Sequence, residues 1–367
     1  MSAGPTESSE PSAQTDAKPS SVAERARARA ATSSFSLRRV GIGVLVVFVL
    51  IGCGLAWMTV MPGWSHSGEL PQLTPEQQGL ARELEAAVTV LAGDIGPRNH
   101  AQQDKLELAA AWISSELSTA GWTVSGQEWR TRHSGKAARN IIADQPAGDP
   151  TAPLIIVGAH YDSVSGCPGA NDNASGTAAL LALARRLRDL KGAARLRLVA
   201  FTDEEPPAFW TGEMGSLKYA RKLKDDGETV RAMLSIETIG CYSDKPGSQK
   251  YPAPFNLVYP SRGDFIGFVG NLASRGLARR CTGRFRGAVP FPSEGVAAPE
   301  ATPGIGWSDH WSFWKIDVPA VMITDTAPFR YPHYHRPSDT PDKLDYERMA
   351  RVVFGLEVVI RDLVKTP

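Results

Sequence analysis

Five short stretches of this 367-residue chain carry side chains able to bind cations and move protons: GAHYDS (158–163), PGAND (168–172), FTDEE (201–205), MLSIE (233–237) and YPHYHRPSDT (331–340). Residues two apart on an extended chain point the same way, so Asp162 can sit beside the ring of His160 and orient it. Asp172 falls just ahead of an Ala- and Leu-rich helical stretch. Asp203, Glu204 and Glu205 crowd three acids into one turn, which is costly unless a cation neutralises them. Each motif alone also has a structural explanation: a satisfied histidine, a solvated acidic turn, or a surface loop carrying His333 and His335.

Together they say more. His160, Asp172, Glu205, Glu237 and His335 make two nitrogens and three carboxylates, a mixed set that suits zinc and exceeds what one tetrahedral ion takes. Two ions sharing Asp172 as a bridge, with a water between them, fit the set better. Glu204, beside the ligand Glu205, is then placed to take the water's proton and deliver it to a leaving amine. On an extended chain the two glutamates would project to opposite sides.

The elements that must position these residues are legible as apolar runs. NIIA (140–143), LIIVGAH (154–160), LRLVAF (196–201), MLSIE (233–237) and AVMIT (320–324) read as buried strands, and WTVSGQEWRT (122–131) as a strand on a sheet surface. Helical patterns at 74–93, 105–121, 175–190, 213–224 and 265–280 separate most of them. The alternation predicts a single α/β domain: a mixed, mostly parallel central sheet with helices on both faces, binding its ligand beyond the carboxyl ends of the strands. The cation-binding residues fall at those ends.

Outside this domain the chain changes character. Residues 1–39 are rich in Ser, Ala, Pro, Glu and Arg and read as an unfolded cytoplasmic tail. Val40 to Met61 is a run of 22 residues without a charge, long enough as a helix to cross a bilayer. Arg25, Arg27, Arg29, Arg38 and Arg39 precede it, and the first charge after it is Glu69, so the positive-inside bias puts the N-terminus in the cytoplasm and the domain outside the cell membrane. Leu50-Ile51-Gly52-Cys53 resembles a lipoprotein cleavage box, which would make Cys53 a lipid anchor, but the apolar run continues past it and an uncleaved single-pass anchor is the expectation. Residues 62–73 read as a spacer and 74–367 as the catalytic domain. Three cysteines lie in that domain, so at most one disulfide fits, with Cys167 and Cys241 as the pair that could meet. With a net charge of +1 and 42% hydrophobic residues, nothing points to nucleic acid.

The quoted motifs, together with IETIG (236–240), SDHWSFW (308–314) and YHRPSDTPDKLD (334–345), come in an order that resembles the co-catalytic zinc aminopeptidases related to bacterial leucyl aminopeptidase and aminopeptidase Y, over residues 80–364. The resemblance implies that Asp172 bridges two zinc ions, that His160 and Glu237 complete one and Glu205 and His335 the other, that Glu204 is the general base and that Asp162 supports catalysis. Many relatives carry aspartate where this chain has Glu237. It places the segment 305–314, with Asp309 and His310, near the site and not among the ligands. The expected activity is removal of N-terminal residues from peptides. A glutaminyl cyclase using one zinc and a non-catalytic receptor-like ectodomain are the competing readings. The residue preference and the oligomeric state stay open.

Overall fold

The computed structural model describes Met1 and residues 21–145, 149 and 151–366. It divides into two units, Met1–Trp57 and Met58–Pro367. Among the described residues the first is formed by the helix α1 (Val22–Thr59), whose segment Arg39–Thr59 is long and apolar enough to cross a membrane, with a mean hydropathy of 2.6. The expectation of an unfolded tail over 1–39 therefore needs correcting from Val22 onward, while residues 2–20 lie outside the described residues. The missed signal is a reciprocal cap. The Ser21 hydroxyl accepts from the Glu24 N–H and the Glu24 carboxylate accepts from the Ser21 N–H, both at 3.2 Å, and the Ala- and Arg-rich residues that follow have high helix propensity.

The second unit is built on eight strands: β1 (Thr123–Arg130), β2 (Ala137–Asp144), β3 (Leu154–His160), β4 (Arg195–Phe201), β5 (Val230–Glu237), β6 (Ile266–Asn271), β7 (Ser293–Ala298) and β8 (Ala320–Thr324), in the spatial order β1-β2-β4-β3-β5-β8-β6-β7. The central strands β4, β3, β5 and β8 run parallel, β1 and β2 close one side antiparallel, and β6 is antiparallel to β8 but parallel to β7. Every residue of β3 and β8 is buried, as a parallel strand covered on both faces requires.

The helices are α2 (Pro75–Val88), α3 (Gln103–Thr119), α4 (Gly176–Leu187), α5 (Gly215–Asp225), α6 (Arg275–Ala288), the short α7 (His310–Trp314) and α8 (Ala327–Arg330), and α9 (Tyr346–Lys365). Thr74 caps α2 in a capping box with Gln77, and Asp345 caps α9 by accepting from the Arg348 N–H, so both start where a side chain satisfies an otherwise orphaned amide. The core joins α2, α3, α4, α6 and α9 to the sheet. Residues 62–73 carry no helix or strand, yet they are laid along the domain rather than hanging free. Ser65 Oγ accepts from the Ser293 N–H at 2.9 Å, Arg286 Nη1 donates to the Gly63 carbonyl at 2.9 Å, and Arg351 donates to the Pro71 carbonyl.

One element differs in kind from the sequence reading. Residues 265–280, expected as a helix, form β6 first and α6 only from Arg275, because IGFVGN is buried along its whole length between β8 and β7. A short apolar run has no periodicity that separates a buried strand from a buried helix. Similarly, β7 has no counterpart among the strands expected from the sequence. All four cysteines are free; the Cys167 thiol donates to the Arg336 carbonyl at 3.0 Å.

Candidate metal centre

The parallel strands aim their carboxyl ends at one place. His160 is the last residue of β3, Glu237 the last of β5, Glu204 and Glu205 follow β4, and His335 lies in the loop after α8. Asp172 comes from the turn between β3 and α4. Gly169 enters that turn with φ 64°, and a Cβ there would come within 2.4 Å of the Asp172 carbonyl oxygen, so only glycine permits this path. The Asn171 and Asp172 amides donate to the two carboxylate oxygens of Asp339, at 2.9 and 3.2 Å, which fixes the turn from below.

Asp172 is the centre of the arrangement. Its Oδ1 lies 3.3 Å from His160 Nε2 and its Oδ2 lies 3.0 Å from His335 Nε2. On the first side Glu237 Oε2 stands 3.1 Å from the same His160 nitrogen; on the second Glu205 Oε2 stands 3.3 Å from His335 Nε2. Two triads, His160/Asp172/Glu237 and Asp172/Glu205/His335, each have donor atoms close enough to share one cation and hold the Asp172 carboxylate in common, and a third group, His160/Glu204/Glu205, brings Glu204 to the same place. All five expected ligands are thus brought together.

Asp162 does what its spacing suggests and something more. Its Oδ1 is 3.4 Å from His160 Nδ1, and its two oxygens also accept from the Glu204 and Glu205 amides at 3.3 and 3.2 Å. The expectation that these two glutamates project to opposite sides is corrected by the structure. The chain is not extended there, because Asp203 takes φ 57°, and both carboxylates reach the side of His160, with Glu204 Oε2 at 3.9 Å from Nε2.

So many acids in one buried place perturb one another. Burial pushes Glu204 well above the ordinary carboxylate range; His160 pulls it down, and Glu237, Glu205 and Asp309 push it further up. Burial raises Glu205 likewise, with Asp172 adding repulsion. For Asp172 burial acts upward too, but the hydrogen bonds from His160 and His335 outweigh it and hold the group below the usual range. Glu205 Oε1 is buried without a hydrogen-bond partner. A buried acidic cluster with an orphaned oxygen and two imidazoles at its middle is an environment that a divalent cation completes.

Several contributors are given no specific role by the sequence. Ser308 Oγ donates to Glu237 Oε2 at 2.7 Å, and Asp309 is fully buried near the centre, with burial raising it to about 7. Arg98, also fully buried, donates to the carbonyls of Tyr161, Leu91, Gly96, Pro168 and Gly169 and so ties the loop after β3 together. Only Ser308 and Asp309 sat in a segment singled out beforehand; Arg98 acts on backbone carbonyls, for which no motif exists. His333 points elsewhere, to the Ser338 hydroxyl. His310 packs edge-on against Trp314, away from the triads.

Comparison with known proteins gives this geometry its context. Residues 140–359 match the model of peptidase family M28. The chain belongs to that family. It is 38% identical to the uncharacterised protein YfbL of Escherichia coli over 82% of this chain and 90% of that one, and 25% identical to a probable leucine aminopeptidase of Arthroderma otae over 76% and 71%. Among solved structures, a zinc aminopeptidase from Bacillus subtilis superposes with a TM-score of 0.61 at 16% identity, covering 82% of this chain and 97% of that one. A glutaminyl cyclase from Bacteroides thetaiotaomicron does so with 0.59 at 18%, covering 80% and 99%. The expected α/β architecture and the metallo-aminopeptidase class are borne out.

Proposed function

We propose that this M28 peptidase is a membrane-anchored dizinc aminopeptidase that prefers large apolar N-terminal residues. The observation that carries it is Asp172, whose two carboxylate oxygens each belong to a separate triad of one imidazole and one further carboxylate. His160, Asp172 and Glu237 would hold one ion, and Asp172, Glu205 and His335 the other. Zinc bound there supplies Lewis acidity to a peptide carbonyl and lowers the pKa of water toward neutrality.

The chain's own residues do the rest. Glu204, kept in reach of its proton by a buried and negative environment, takes the proton of the attacking water and passes it to the departing amine, so no protein nucleophile is needed. Asp162 holds the turn that carries Glu204 and Glu205 through their amides and steadies the His160 ring. Ser308 donates to Glu237 Oε2, the oxygen that stands beside His160 Nε2, and so fixes the orientation of this carboxylate toward a cation.

Beside Glu237 opens an apolar pocket walled by Phe255, Phe268, Val296, Trp307, Met322 and Phe329. Such walls desolvate leucine- or phenylalanine-sized side chains, each buried CH2 contributing about 0.8 kcal/mol. A panel of aminoacyl chromogenic substrates tests this: kcat/KM for the leucine or phenylalanine derivative is expected to exceed that for alanine by roughly tenfold or more. Equal rates across the panel, or cyclisation of an N-terminal glutaminyl peptide in place of hydrolysis, would sink the reading. The apolar helix ahead of the domain and the arginines before it support a single-pass anchor with the peptidase domain outside the cell.

A further inference from the structure

On the other side of the Asp203 turn lies a second group of donors that the proposed dinuclear centre does not use. His100 opens a short 3-10 turn ahead of α3, His133 sits in the turn joining β1 to β2, and Asp203 follows β4. One donor atom from each falls within 4.8 Å of the others.

The hydrogen bonds around His100 decide which of its nitrogens is available. The Gln103 amide nitrogen donates twice, to Glu107 Oε1 at 3.0 Å and to the Ala137 carbonyl at 2.8 Å. The Gln103 oxygen is therefore what faces His100 Nδ1 at 2.9 Å, and Nδ1 must carry the hydrogen. In the neutral ring the lone pair is then on Nε2, and it points at Asp203 Oδ1, 2.6 Å away. Two acceptors do not face each other at that distance unaided, so either a proton is shared between them or a metal ion beside them takes both.

The other Asp203 oxygen, Oδ2, is buried and has no partner, although the side chain is only 4% exposed. The ring of His133 stands edge-on to that of His100 with centroids 5.1 Å apart, and the group opens on a cleft lined by Asn99, Ser163, Ser165 and Pro206 and bordered by Asp162 and Glu205 of the dinuclear centre. An imidazole whose Nδ1–H is held by a carbonyl oxygen, so that Nε2 offers its lone pair beside a carboxylate, is how ligating histidines are commonly oriented.

We infer that His100, His133 and Asp203 form a separate binding site for a divalent transition-metal ion of the zinc class. Two imidazoles and a carboxylate suit such an ion. It would clamp three segments distant in sequence, the turn ahead of α3, the β1–β2 hairpin and the strand end that leads into Glu204 and Glu205. The inference is independent of the dinuclear centre, since no residue is common to both.

The test is a zinc count. The full chain, stripped with a chelator and reloaded with excess zinc, is compared with His133→Ala, which alters an exposed side chain, with His100→Gln, and with the double variant. One equivalent fewer is expected in each of the three, since three ligands of one ion fail together. A matching elevation of Tm on zinc addition should be smaller in all three than in the native chain. Equal zinc contents in the native chain and His133→Ala would overturn the site and leave a shared proton between His100 and Asp203. Losses that add in the double variant would overturn it as well, because they signify two unrelated surface ions. A failure of the dinuclear reading would lower every count alike and leave this difference intact.

Discussion

Replacing Glu204 by glutamine is the most informative single change at the centre. The substitution keeps the shape of a fully buried side chain, removes its charge and ends its capacity to carry a proton. Its carboxylate is the outlying acid of the cluster, 3.9 Å from His160 Nε2, whereas the five proposed ligands pair at 3.0 to 3.3 Å. Glutamine should therefore leave metal content unchanged. Proton transfer by a positioned group accounts for roughly 10²- to 10⁴-fold in rate, so kcat should fall by that factor, equivalent to about 3 to 5 kcal/mol in the barrier. The structure also sets the direction for stability. Burial, Glu237, Glu205 and Asp309 all disfavour the ionised form of Glu204, with only the charge of His160 opposing them. In the metal-free protein, the variant is thus expected to be no less stable than the native chain. Steady-state kinetics on a leucyl chromogenic substrate, elemental analysis and thermal unfolding of the stripped protein read the three quantities. Near-native turnover, or loss of zinc along with turnover, would refute the assignment of Glu204 as base.

Two further outcomes follow from other parts of the molecule. His310 is fully buried, with Nε2 bonded to the Ile305 carbonyl at 2.7 Å and Nδ1 unpartnered, and burial lowers it to about 4. Its folded value lies below the unfolded one near 6.5, so the unfolded chain takes up the proton first and stability is lost as pH falls from about 6.5 toward 4. Between pH 7 and 4.5 the native chain should lose about 2 kcal/mol more than His310→Gln in urea unfolding; parallel slopes would contradict this. Protease added to intact cells or spheroplasts should digest the domain and spare the residues ahead of the apolar helix, and complete protection of the domain would reverse the proposed topology.

What the sequence disclosed, and what it withheld, follows from the range of the forces involved. His160 and Glu237 were legible because a strand end is marked by its own apolar run, and a carboxylate or histidine there has few reasons to be present, whereas Asp172 and His335 lie in loops and were legible only together with the rest of the set. Asp162 was readable from a spacing of two. The convergence of Glu204 and Glu205 was not, since it depends on the positive φ of Asp203, a residue that carries no glycine-like signal. β6 and β7 were missed because IGFVGN and SEGVAA are short, glycine-bearing runs whose burial comes from neighbours more than twenty residues away in sequence. Ser308, Asp339 and Arg98 act through hydrogen bonds mostly to residues remote in sequence, and such bonds leave no periodic trace in the chain. The helix over 22–39 is marked only by the local cap of Ser21 and Glu24, a signal that the overall composition of the tail does not carry.

The central claim is that one carboxylate, Asp172, is shared by two cations. Anomalous diffraction at the zinc edge, from crystals of the zinc-loaded protein, addresses it directly. Two peaks are predicted on either side of Asp172, one beside His160 and Glu237 and the other beside Glu205 and His335. A single peak, or none, at Asp172 would contradict the account.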